Sequence, residues 1–376
     1  MQKFLVIQTA FIGDVVLATA LIEKLHAFYP DARIDFLVRK GNEGLLLGHP
    51  YLHEVLIWDK KQNKQRNLFR LLRRIRAEKY DTVINVQRFF ATGLLTAFSG
   101  AKQTIGFDKN PLSRFFTRRI PHIVSAPPHP GGAPQSGAPK HETDRNQALI
   151  AALTDDKPAK PRLYPTTADE EKVKPYKAKP YITISPASVW FTKQYPKEKW
   201  AGFIQKLPPH LTVYLLGAPS DKDLCQYILS AAQNSSAQSP PQQTPATQTS
   251  PATQTAPQIP SPAQTSPATP NVINLSGALT FLQSANLQQD ALINFVNDSA
   301  PLHFASSVNA PVTAIYCSTI PAFGFGPLSD NRHIVEITQP LDCRPCGLHG
   351  FKACPRGHFN CAYKIQDQQL LDTLPG

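Results

Sequence analysis

The chain alternates short β-rich runs with longer helical patterns, and this alternation restricts its fold more than any other feature. Strands separated by helical patterns of about 10–15 residues are typical of βαβ units, whose strands form a parallel sheet. In the first half the pattern predicts strands at Lys3–Thr9, Arg33–Val38, Glu54–Trp58, Thr82–Val86 and Gln103–Phe107. It predicts helices at Asp14–Tyr29, Arg66–Lys79, Phe89–Ser99 and His141–Leu153.

A second alternation of the same kind follows a Lys- and Pro-rich stretch at 157–180. Its predicted strands are Tyr181–Ser185, Thr212–Leu216, Val272–Leu275, Leu292–Asn297 and Val312–Tyr316, and its predicted helices are Pro196–Leu207, Lys222–Gln233 and Ala300–Val308. The fold class is therefore α/β, with two Rossmann-like, doubly wound domains that face each other across a cleft. We place the N-terminal domain at 1–160, an interdomain linker at 161–180 and the C-terminal domain at 181–376.

Residues 234–270 fit neither domain. They contain nine prolines and no charged residue, and PATQT occurs twice, at 245–249 and 251–255. This composition cannot bury an apolar core, so we predict a disordered insertion. A tolerated surface loop and a Pro-rich segment that binds a partner both remain open. A shorter Pro- and Gly-rich loop is predicted at 125–140.

Positive charge is concentrated in the first third of the chain. Residues 1–124 hold 20 Lys and Arg against 10 Asp and Glu, which accounts for most of the net charge of +12. Such asymmetry indicates an anionic partner: a phosphorylated lipid, a membrane surface or nucleic acid. The helix predicted at 66–79 carries five arginines, four of them (Arg70, Arg73, Arg74 and Arg76) interspersed with apolar residues at helical spacing. It either faces solvent or rests on anionic lipid.

No run of 18 apolar residues is present, so no membrane-spanning helix is expected. The apolar N-terminus resembles a signal peptide, but Asp14 interrupts it, and a strand, turn and helix fit better. We therefore expect a cytoplasmic protein whose cysteines are reduced. Cys343 and Cys346 form a CxxC, followed by Cys354 and Cys361. Reduced packed thiols, a structural zinc site and a redox pair remain alternatives.

Three segments place polar residues where a predicted strand gives way to a helix. The first ends in Gly13 and Asp14, where glycine permits close approach of a ligand and the aspartate either caps the helix or acts at the sheet edge. It is not a GxGxxG fingerprint, so a nicotinamide cofactor is not favoured. The second contains Ser188, Thr192 and Lys193, which suit phosphate oxygens or are solvated loop residues.

The third segment runs from Asp298 through Ser299 and Pro301 to His303. Asp298 or Ser299 can cap a helix there, and proline is favoured in a first helical turn. The exposed N–H groups and the positive end of the helix dipole make a site for a diphosphate. His303 lies close enough in sequence to reach the same site, or it packs internally.

Taken together, the chain resembles glycosyltransferase family nine, the ADP-heptose:lipopolysaccharide heptosyltransferases. Four patterns of that family occur in order and cover nearly the whole chain outside the insertion. They are Phe4–Ile7 with Ile12-Gly13-Asp14; Pro186, Ser188, Trp190, Thr192, Lys193, Tyr195, Pro196 and Glu198; Asn297-Asp298-Ser299-Ala300-Pro301-Leu302-His303; and Cys343, Pro345, Cys346, Cys354, Pro355, His358 and Cys361.

The resemblance implies a GT-B type, metal-independent enzyme without a cofactor, which transfers a heptose with inversion from ADP-L-glycero-D-manno-heptose to the lipopolysaccharide inner core. It implies that Asp14 is the catalytic base. The implied donor-binding residues are Ser188, Thr192, Lys193, Asp298, Ser299, Ala300 and His303, and the implied acceptor-binding residues are Thr9, Gly13 and Arg114. Peripheral contact with the inner membrane is expected, and nucleic-acid binding is not.

Two departures from the family pattern concern the donor. Ala300 replaces a usual glycine, and Ala218-Pro219-Ser220 stands where an acidic residue is often found. Use of another nucleotide sugar, or sugar-nucleotide epimerisation on the same fold, therefore stays as an alternative. A basic nucleic-acid-binding protein is a further alternative, although no recognised binding motif is evident.

Overall fold

The computed structural model describes residues 1–124, 140–234 and 269–375. The predicted insertion and the Pro- and Gly-rich loop lie almost entirely outside these ranges. Within them, no helix is both long enough and apolar enough to cross a membrane.

The first half contains one parallel sheet with the strand order β3-β2-β1-β4-β5-β6. All five predicted strands are present, and β6, a short edge strand with two arginines, was not predicted. The strands are β1 (Lys3–Ile7), β2 (Arg33–Arg39), β3 (Glu54–Trp58), β4 (Thr82–Asn85), β5 (Gln103–Phe107) and β6 (Arg118–Ile120). The helices are α1 (Ile12–Phe28), α2 (Lys64–Glu78), α3 (Phe90–Ala97) and α4 (Glu142–Ile150).

The second half repeats this topology in the order β12-β11-β10-β7-β8-β9. Its strands are β7 (Tyr181–Ser185), β8 (Thr212–Leu215), β9 (Asn271–Asn274), β10 (Asn294–Asn297), β11 (Val312–Tyr316) and β12 (Arg332–Glu336). Its helices are α6 (Lys197–Gln205), α7 (Lys222–Gln233), α8 (Phe281–Gln289), α9 (Ala300–Ser307), α10 (Asn360–Tyr363) and α11 (Asp367–Leu371). Helix α5 (Thr167–Val173) lies inside the predicted linker, and the exact domain division stays a prediction.

The strand order fixes where ligands can bind in each half. In both sheets the first and fourth strands are neighbours, and the chain leaves this pair toward opposite sides. Ligands of open α/β sheets bind at such a switch point, beyond the carboxyl ends of the strands. The first half therefore has a crevice beyond β1 and β4, and the second half has one beyond β7 and β10.

Helix α1 lies between the halves. Its residues from Val15 to Ile22 are all buried, as expected of a helix that is apolar on every side. The helix packs against α4 of its own half and α9 of the other. Leu282, Ala285 and Phe304 of the second half belong to the apolar cluster around the first sheet, so the two halves share a continuous apolar seam.

The packing of helix α2 shows which of its side chains are available for contact with lipid. Leu68, Leu71 and Ile75 are buried against the first sheet, so the apolar stripe of α2 belongs to the core. Its arginines and Phe69 face outward, so any contact of this helix with lipid would use these side chains and not the buried leucines.

Candidate functional site

The first turns of α1 and α9 touch each other across the cleft. Gly13 leaves room for the His303 imidazole, because a Cβ on Gly13 would lie only 2.8 Å from His303 Cδ2. The same Cβ would lie 3.8 Å from the Ala300 Cα. Asp14 and the turn at 298–303, which were predicted from separate motifs, therefore open onto one crevice.

Asp14 is both a helix cap and a candidate base. Its Oδ2 accepts the N–H of Phe11 at 3.2 Å, whereas Oδ1 has no hydrogen bond to any described residue. Burial raises the pKa of Asp14 to about 6, and the Glu142 carboxylate adds to the rise, while the Phe11 N–H, Lys193 and Arg39 oppose it. A carboxylate with a pKa near the working pH is well matched to accepting a proton.

Glu142 begins α4 beside Asp14 and ties the two halves together. Its N–H donates to the Gly324 carbonyl at 2.8 Å, and the Nε2 of His141 lies 3.1 Å from the Gly326 carbonyl. The Glu142 carboxylate is paired with Arg145 at 2.6 Å. The loop at 323–326 is thus held against α4, and the charge of Glu142 has a fixed place near Asp14.

In the second half, Lys193 and Asp298 form an ion pair between the loops that follow β7 and β10. Lys193 Nζ lies 2.7 Å from Asp298 Oδ2, and that oxygen also accepts the Thr319 hydroxyl at 2.6 Å. Asp298 is buried, and removing one partner of a buried pair typically costs about 3–5 kcal/mol. Among the described residues the Lys193 ammonium contacts only Asp298, so it keeps N–H groups for a ligand oxygen.

The start of α9 is left uncapped. Ser299 is the N-cap residue, but its hydroxyl makes no cap hydrogen bond, and Asp298 is engaged with Lys193 and Thr319. Neither side chain caps the helix, contrary to the prediction from sequence. The N–H groups of Ser299 and Ala300 have no partner among the described residues, and free N–H groups at a helix start bind anions.

His303 stays neutral in this environment. It is buried in the first turn of α9, and burial, together with His141 and Lys193, lowers its pKa to about 3. Its Nδ1 is buried without a partner in the part of the chain that the structure describes. The imidazole therefore offers polar atoms beside the crevice and no charge.

Ser188 and Thr192 occupy different environments. Ser188 is partly exposed beside the crevice, and its carbonyl accepts the Gln194 side-chain amide at 2.7 Å. Thr192 is buried, and its hydroxyl accepts the N–H of Phe351 at 2.8 Å and lies 3.0 Å from the Ser318 hydroxyl. Thr192 holds the loop at 346–351 over Lys193, so a direct donor contact would compete with these bonds.

A cavity of about 500 Å³ lies beyond β7 and β8, next to the start of α9. Most of its wall is apolar, and Ile12 of the first half closes one side. Cavities of this size and character hold small organic ligands, with a few polar groups that fix orientation. The lining includes Ile12, Ser188, Leu216, Asp221, Leu279, Phe281, Ser299, Ala300, Pro301 and Phe304.

Asp221 is a site residue that the sequence reasoning missed. It directly follows Ala218-Pro219-Ser220, lines the cavity and accepts the Ala218 N–H at 2.8 Å. Gly217 makes this turn possible, since a Cβ there would lie 2.9 Å from the Asp221 Cβ. An acidic residue therefore does stand after β8, and the Ala-Pro start of the following turn was the available signal.

Comparisons with known proteins agree with this geometry. The model of glycosyltransferase family 9 (heptosyltransferase) matches residues 68–239 and 251–348. The chain belongs to glycosyltransferase family 9. Lipopolysaccharide heptosyltransferase 3 of Escherichia coli is 26% identical over 332 residues, which cover 85% of each chain.

Solved structures show the same fold as this family 9 chain. The crystal structure of a family 9 glycosyltransferase from Veillonella parvula superposes with a TM-score of 0.74 at 18% identity, over 99% of this chain and 96% of that one. The E. coli ADP-heptose lipopolysaccharide heptosyltransferase II gives 0.70 at 19% identity, over 99% and 97%. The predicted GT-B fold is confirmed, and membership of family 9 does not favour the epimerase alternative.

The acceptor-side residues of this family 9 chain remain predictions, and Thr9 has an indirect position. Thr9 is buried, its hydroxyl donates to Gln87 Oε1 at 2.7 Å, and Lys60 Nζ donates to it at 2.9 Å. Burial lowers the pKa of Lys60 to about 8, and Arg39 and Lys64 add to this effect. Thr9 therefore positions a lysine at the edge of the sheet.

Arg114, the other predicted acceptor residue, is exposed with its guanidinium 4.7 Å from the Phe115 ring centre. A separate basic groove of about 710 Å³ runs between edge strand β3 and α2. Its lining is dominated by cations and amides: Lys40, Gln62, Asn63, Arg66, Asn67, Arg70 and Arg74. The positive charge counted in the sequence is thus spread along the outer face of the first half.

The four C-terminal cysteines are free thiols, of which Cys361 is buried and the others are partly exposed. Cys343 Sγ lies 3.8 Å from His358 Nε2. Within the described ranges, no three His, Cys, Asp or Glu side chains are grouped closely enough to hold a metal ion.

Proposed function

We propose that this enzyme transfers a heptose from ADP-L-glycero-D-manno-heptose to the inner core of lipopolysaccharide, with inversion at the anomeric carbon. The contact of Gly13 with His303 carries the proposal, because it sets a carboxylate of raised pKa opposite an uncapped helix start. Further support comes from the relatives, one named lipopolysaccharide heptosyltransferase 3 and one named for ADP-heptose.

In this proposal the donor diphosphate lies at the start of α9. The N–H groups of Ser299 and Ala300, the Lys193 ammonium and the Ser188 hydroxyl bind its oxygens. Asp298 acts through Lys193, since its own negative charge would repel the phosphates. Donors aimed at the charge that grows on the leaving group commonly provide the largest catalytic effect. We extend this to propose metal independence, which turnover in excess EDTA tests.

The nucleoside would occupy the apolar cavity. Phe281 and Phe304 line it, and Asp221 stands at the end of β8. In Rossmann-like sites an acidic residue at the end of the second strand commonly accepts a ribose hydroxyl. Asp221 has the same place in the second half, so we assign it the ribose. Ala300, which stands where the family usually has glycine, also lines this cavity.

Asp14 would take the proton from the attacking acceptor hydroxyl. The acceptor oxygen forms a bond to the anomeric carbon, the bond from that carbon to the phosphate oxygen breaks, and ADP leaves with the electron pair. His303, which is neutral, lies between Asp14 and the phosphates and can donate to a sugar oxygen. Closure of the cleft over the donor would exclude water and limit hydrolysis.

The acceptor would bind the basic first half, and we propose that the enzyme works in the cytoplasm at the inner surface of the membrane. In the groove along α2, Arg74 is paired with Glu54, whereas Arg66 and Arg70 form no ion pair with a described residue and suit anionic lipid. Each Lys or Arg near such a surface contributes about 1 kcal/mol. Cosedimentation with anionic vesicles that weakens as salt rises is expected. Equal binding to neutral vesicles would contradict this part.

The test of the whole proposal is acceptor-dependent ADP release. The purified chain is incubated with ADP-heptose, with and without a heptose-deficient lipopolysaccharide core, and the product linkage is read by NMR. We expect ADP release only with acceptor and an inverted anomeric centre. Conversion of the donor sugar without acceptor would instead indicate an epimerase, and a panel of nucleotide sugars in calorimetry tests the donor.

A further inference from the structure

Three of the four loops at the two switch points already have a place in the proposed reaction. Asp14 follows β1, Lys193 follows β7 and Asp298 follows β10. The fourth loop, which follows β4 and includes Arg88, has none. β4 pairs directly with β1, so this loop and the start of α1 lie side by side at the same edge of the first sheet.

The backbone around Arg88 is held rigidly. The buried side chain of Asn110 donates to the carbonyls of Gln87 at 3.0 Å and Phe89 at 3.1 Å, which flank Arg88 on both sides. Gly93 leaves room for these hydrogen bonds, because a Cβ there would clash with Asn110 Oδ1. Because Asn110 binds the carbonyls on both sides of Arg88, it fixes the backbone position of this exposed arginine.

The Arg88 side chain is exposed, and no hydrogen bond or ion pair joins it to another residue in the ranges that the structure describes. Its charge nevertheless acts on groups of both halves. It lowers the pKa of His122, which burial already lowers to about 4, and it opposes the burial-raised pKa of Glu142. It also lowers the pKa of His349 from the second half, after burial and Lys193. Gln87, the residue before Arg88, donates to Gln8 Oε1 and accepts the Thr9 hydroxyl, so Arg88 lies next to the loop that leads into Asp14.

We propose that Arg88 binds an anionic group of the acceptor, a carboxylate or a phosphate beside the attacking hydroxyl, and so selects acidic acceptors. This inference rests on the proposed function. The donor phosphates have Lys193 and the α9 N–H groups on the opposite wall, whereas Arg88 stands on the wall that carries Asp14. A guanidinium offers a planar fork of N–H donors that matches either anion in a bidentate manner.

The test compares Arg88→Gln, Arg88→Lys and the control Arg118→Gln, which removes an exposed arginine from edge strand β6 of the same sheet. Acceptor KM, kcat and the donor Kd are measured with a heptose-deficient core. The core is used untreated, after carboxyl reduction and after dephosphorylation. The expected rise in acceptor KM for Arg88→Gln is about 10–100-fold, the size of one charge-assisted contact, with the donor Kd unchanged. The acceptor KM of Arg88→Lys should lie between those of the wild type and Arg88→Gln, because lysine keeps the positive charge but cannot form the bidentate contact.

The treated acceptors identify the anion. If carboxyl reduction or dephosphorylation removes the anion that Arg88 binds, the acceptor KM of the wild-type enzyme should rise. With that treated acceptor, Arg88→Gln should raise the acceptor KM little further. Wild-type acceptor KM in Arg88→Gln, or an equal loss in Arg118→Gln, would overturn the inference while the proposed function stands. Absence of any acceptor-dependent ADP release by the unchanged enzyme would instead remove the proposed function itself. All variants should keep the melting temperature, since both arginines are exposed.

Discussion

The two halves share a strand order but differ in how their switch points are filled. Beyond β7 and β10, charges are already paired: Lys193 lies on Asp298, Asp298 accepts Thr319, and an apolar cavity stands ready beside them. Beyond β1 and β4, charges are left over: Arg88 is unpaired among the described residues, and Asp14 is held at a raised pKa. The second half therefore holds its cation in place before any ligand arrives, whereas the first half leaves a cation exposed.

This contrast explains why one fold can serve two unlike substrates. A paired lysine keeps its position before the ligand arrives, which lowers the ordering cost of binding. Unpaired cations attract an anionic partner from a distance and discriminate against neutral ones. In the proposed mechanism the catalytic step takes place where the two halves meet, at Gly13 and His303.

The largest effect is expected from Asp14→Asn, which tests the first-half side of the cleft. Turnover should fall by about 10²–10⁴-fold, because the amide cannot accept the proton, while donor Kd in calorimetry stays near the wild-type value. Asparagine still accepts the Phe11 N–H, so α1 should keep its cap. Asp31→Asn, at an exposed aspartate of the same half, is the control. Near-normal turnover in Asp14→Asn would remove Asp14 from the mechanism.

For the second-half wall the corresponding change is Lys193→Met. Donor Kd should rise by about 10–100-fold, and acceptor KM should change little, because the lost charge faces the diphosphate. Since Asp298 is then left buried without its partner, the double variant Lys193→Met with Asp298→Asn separates folding from binding. It should recover melting temperature and not donor affinity. Lys197→Met is the matched control, and an unchanged donor Kd in Lys193→Met would refute the assignment.

The contact between the two halves at Gly13 and His303 is tested by Gly13→Ala. The added methyl would lie 2.8 Å from His303 Cδ2, so the melting temperature should fall by the equivalent of about 1–3 kcal/mol of overpacking. Adding His303→Ala should relieve this loss, and the two changes should be non-additive in a double-mutant cycle. Gly202→Ala on α6 is the control, because its Cβ meets nothing closer than 3.9 Å. Additive losses would place the strain elsewhere.

The smallest expected effect concerns pH. In the proposed mechanism turnover requires ionised Asp14, so kcat/KM should fall as pH drops through about 6. Glu142→Gln removes a negative charge that raises this pKa and leaves the Arg145 charge uncompensated, while Lys193, Arg39 and the Phe11 N–H are unchanged. All of these favour ionised Asp14, so the acid limb should move to lower pH. Glu171→Gln, at an exposed glutamate on α5, should leave the limb in place. A shift to higher pH would contradict the assignment of this limb to Asp14.

Much of the fold could be predicted from periodicity, and the failures have physical causes. Strands such as Tyr181–Ser185 and Gln103–Phe107 are correct to the residue because buried parallel strands are short apolar runs. β12 was missed because it is a half-exposed edge strand without a clean alternation. α8 was missed although Thr280 and Gln283 form a capping box at its start, which was the signal available.

The site divides in the same way. Asp14 and the turn at 298–303 were found because each follows a strand and opens a helix. Arg88 and Glu142 were not, since each becomes relevant only through the sheet order and the packing of α4, which no local pattern records. The sequence predicted Asp298 as a donor-binding residue. Its pairing with Lys193 and Thr319 could not be predicted, because it depends on three loops that are distant in sequence and meet only in the fold.

The apolar seam between the halves has a consequence for motion and for unfolding. Separating them would expose Leu282, Ala285 and Phe304 to water, at roughly 25 cal/mol for each Å² of apolar surface. We therefore expect a sugar to enter at the rims of the cleft, while the apolar base of the cleft stays closed. Because the two halves share this apolar cluster, we also expect heating to melt both in a single calorimetric transition.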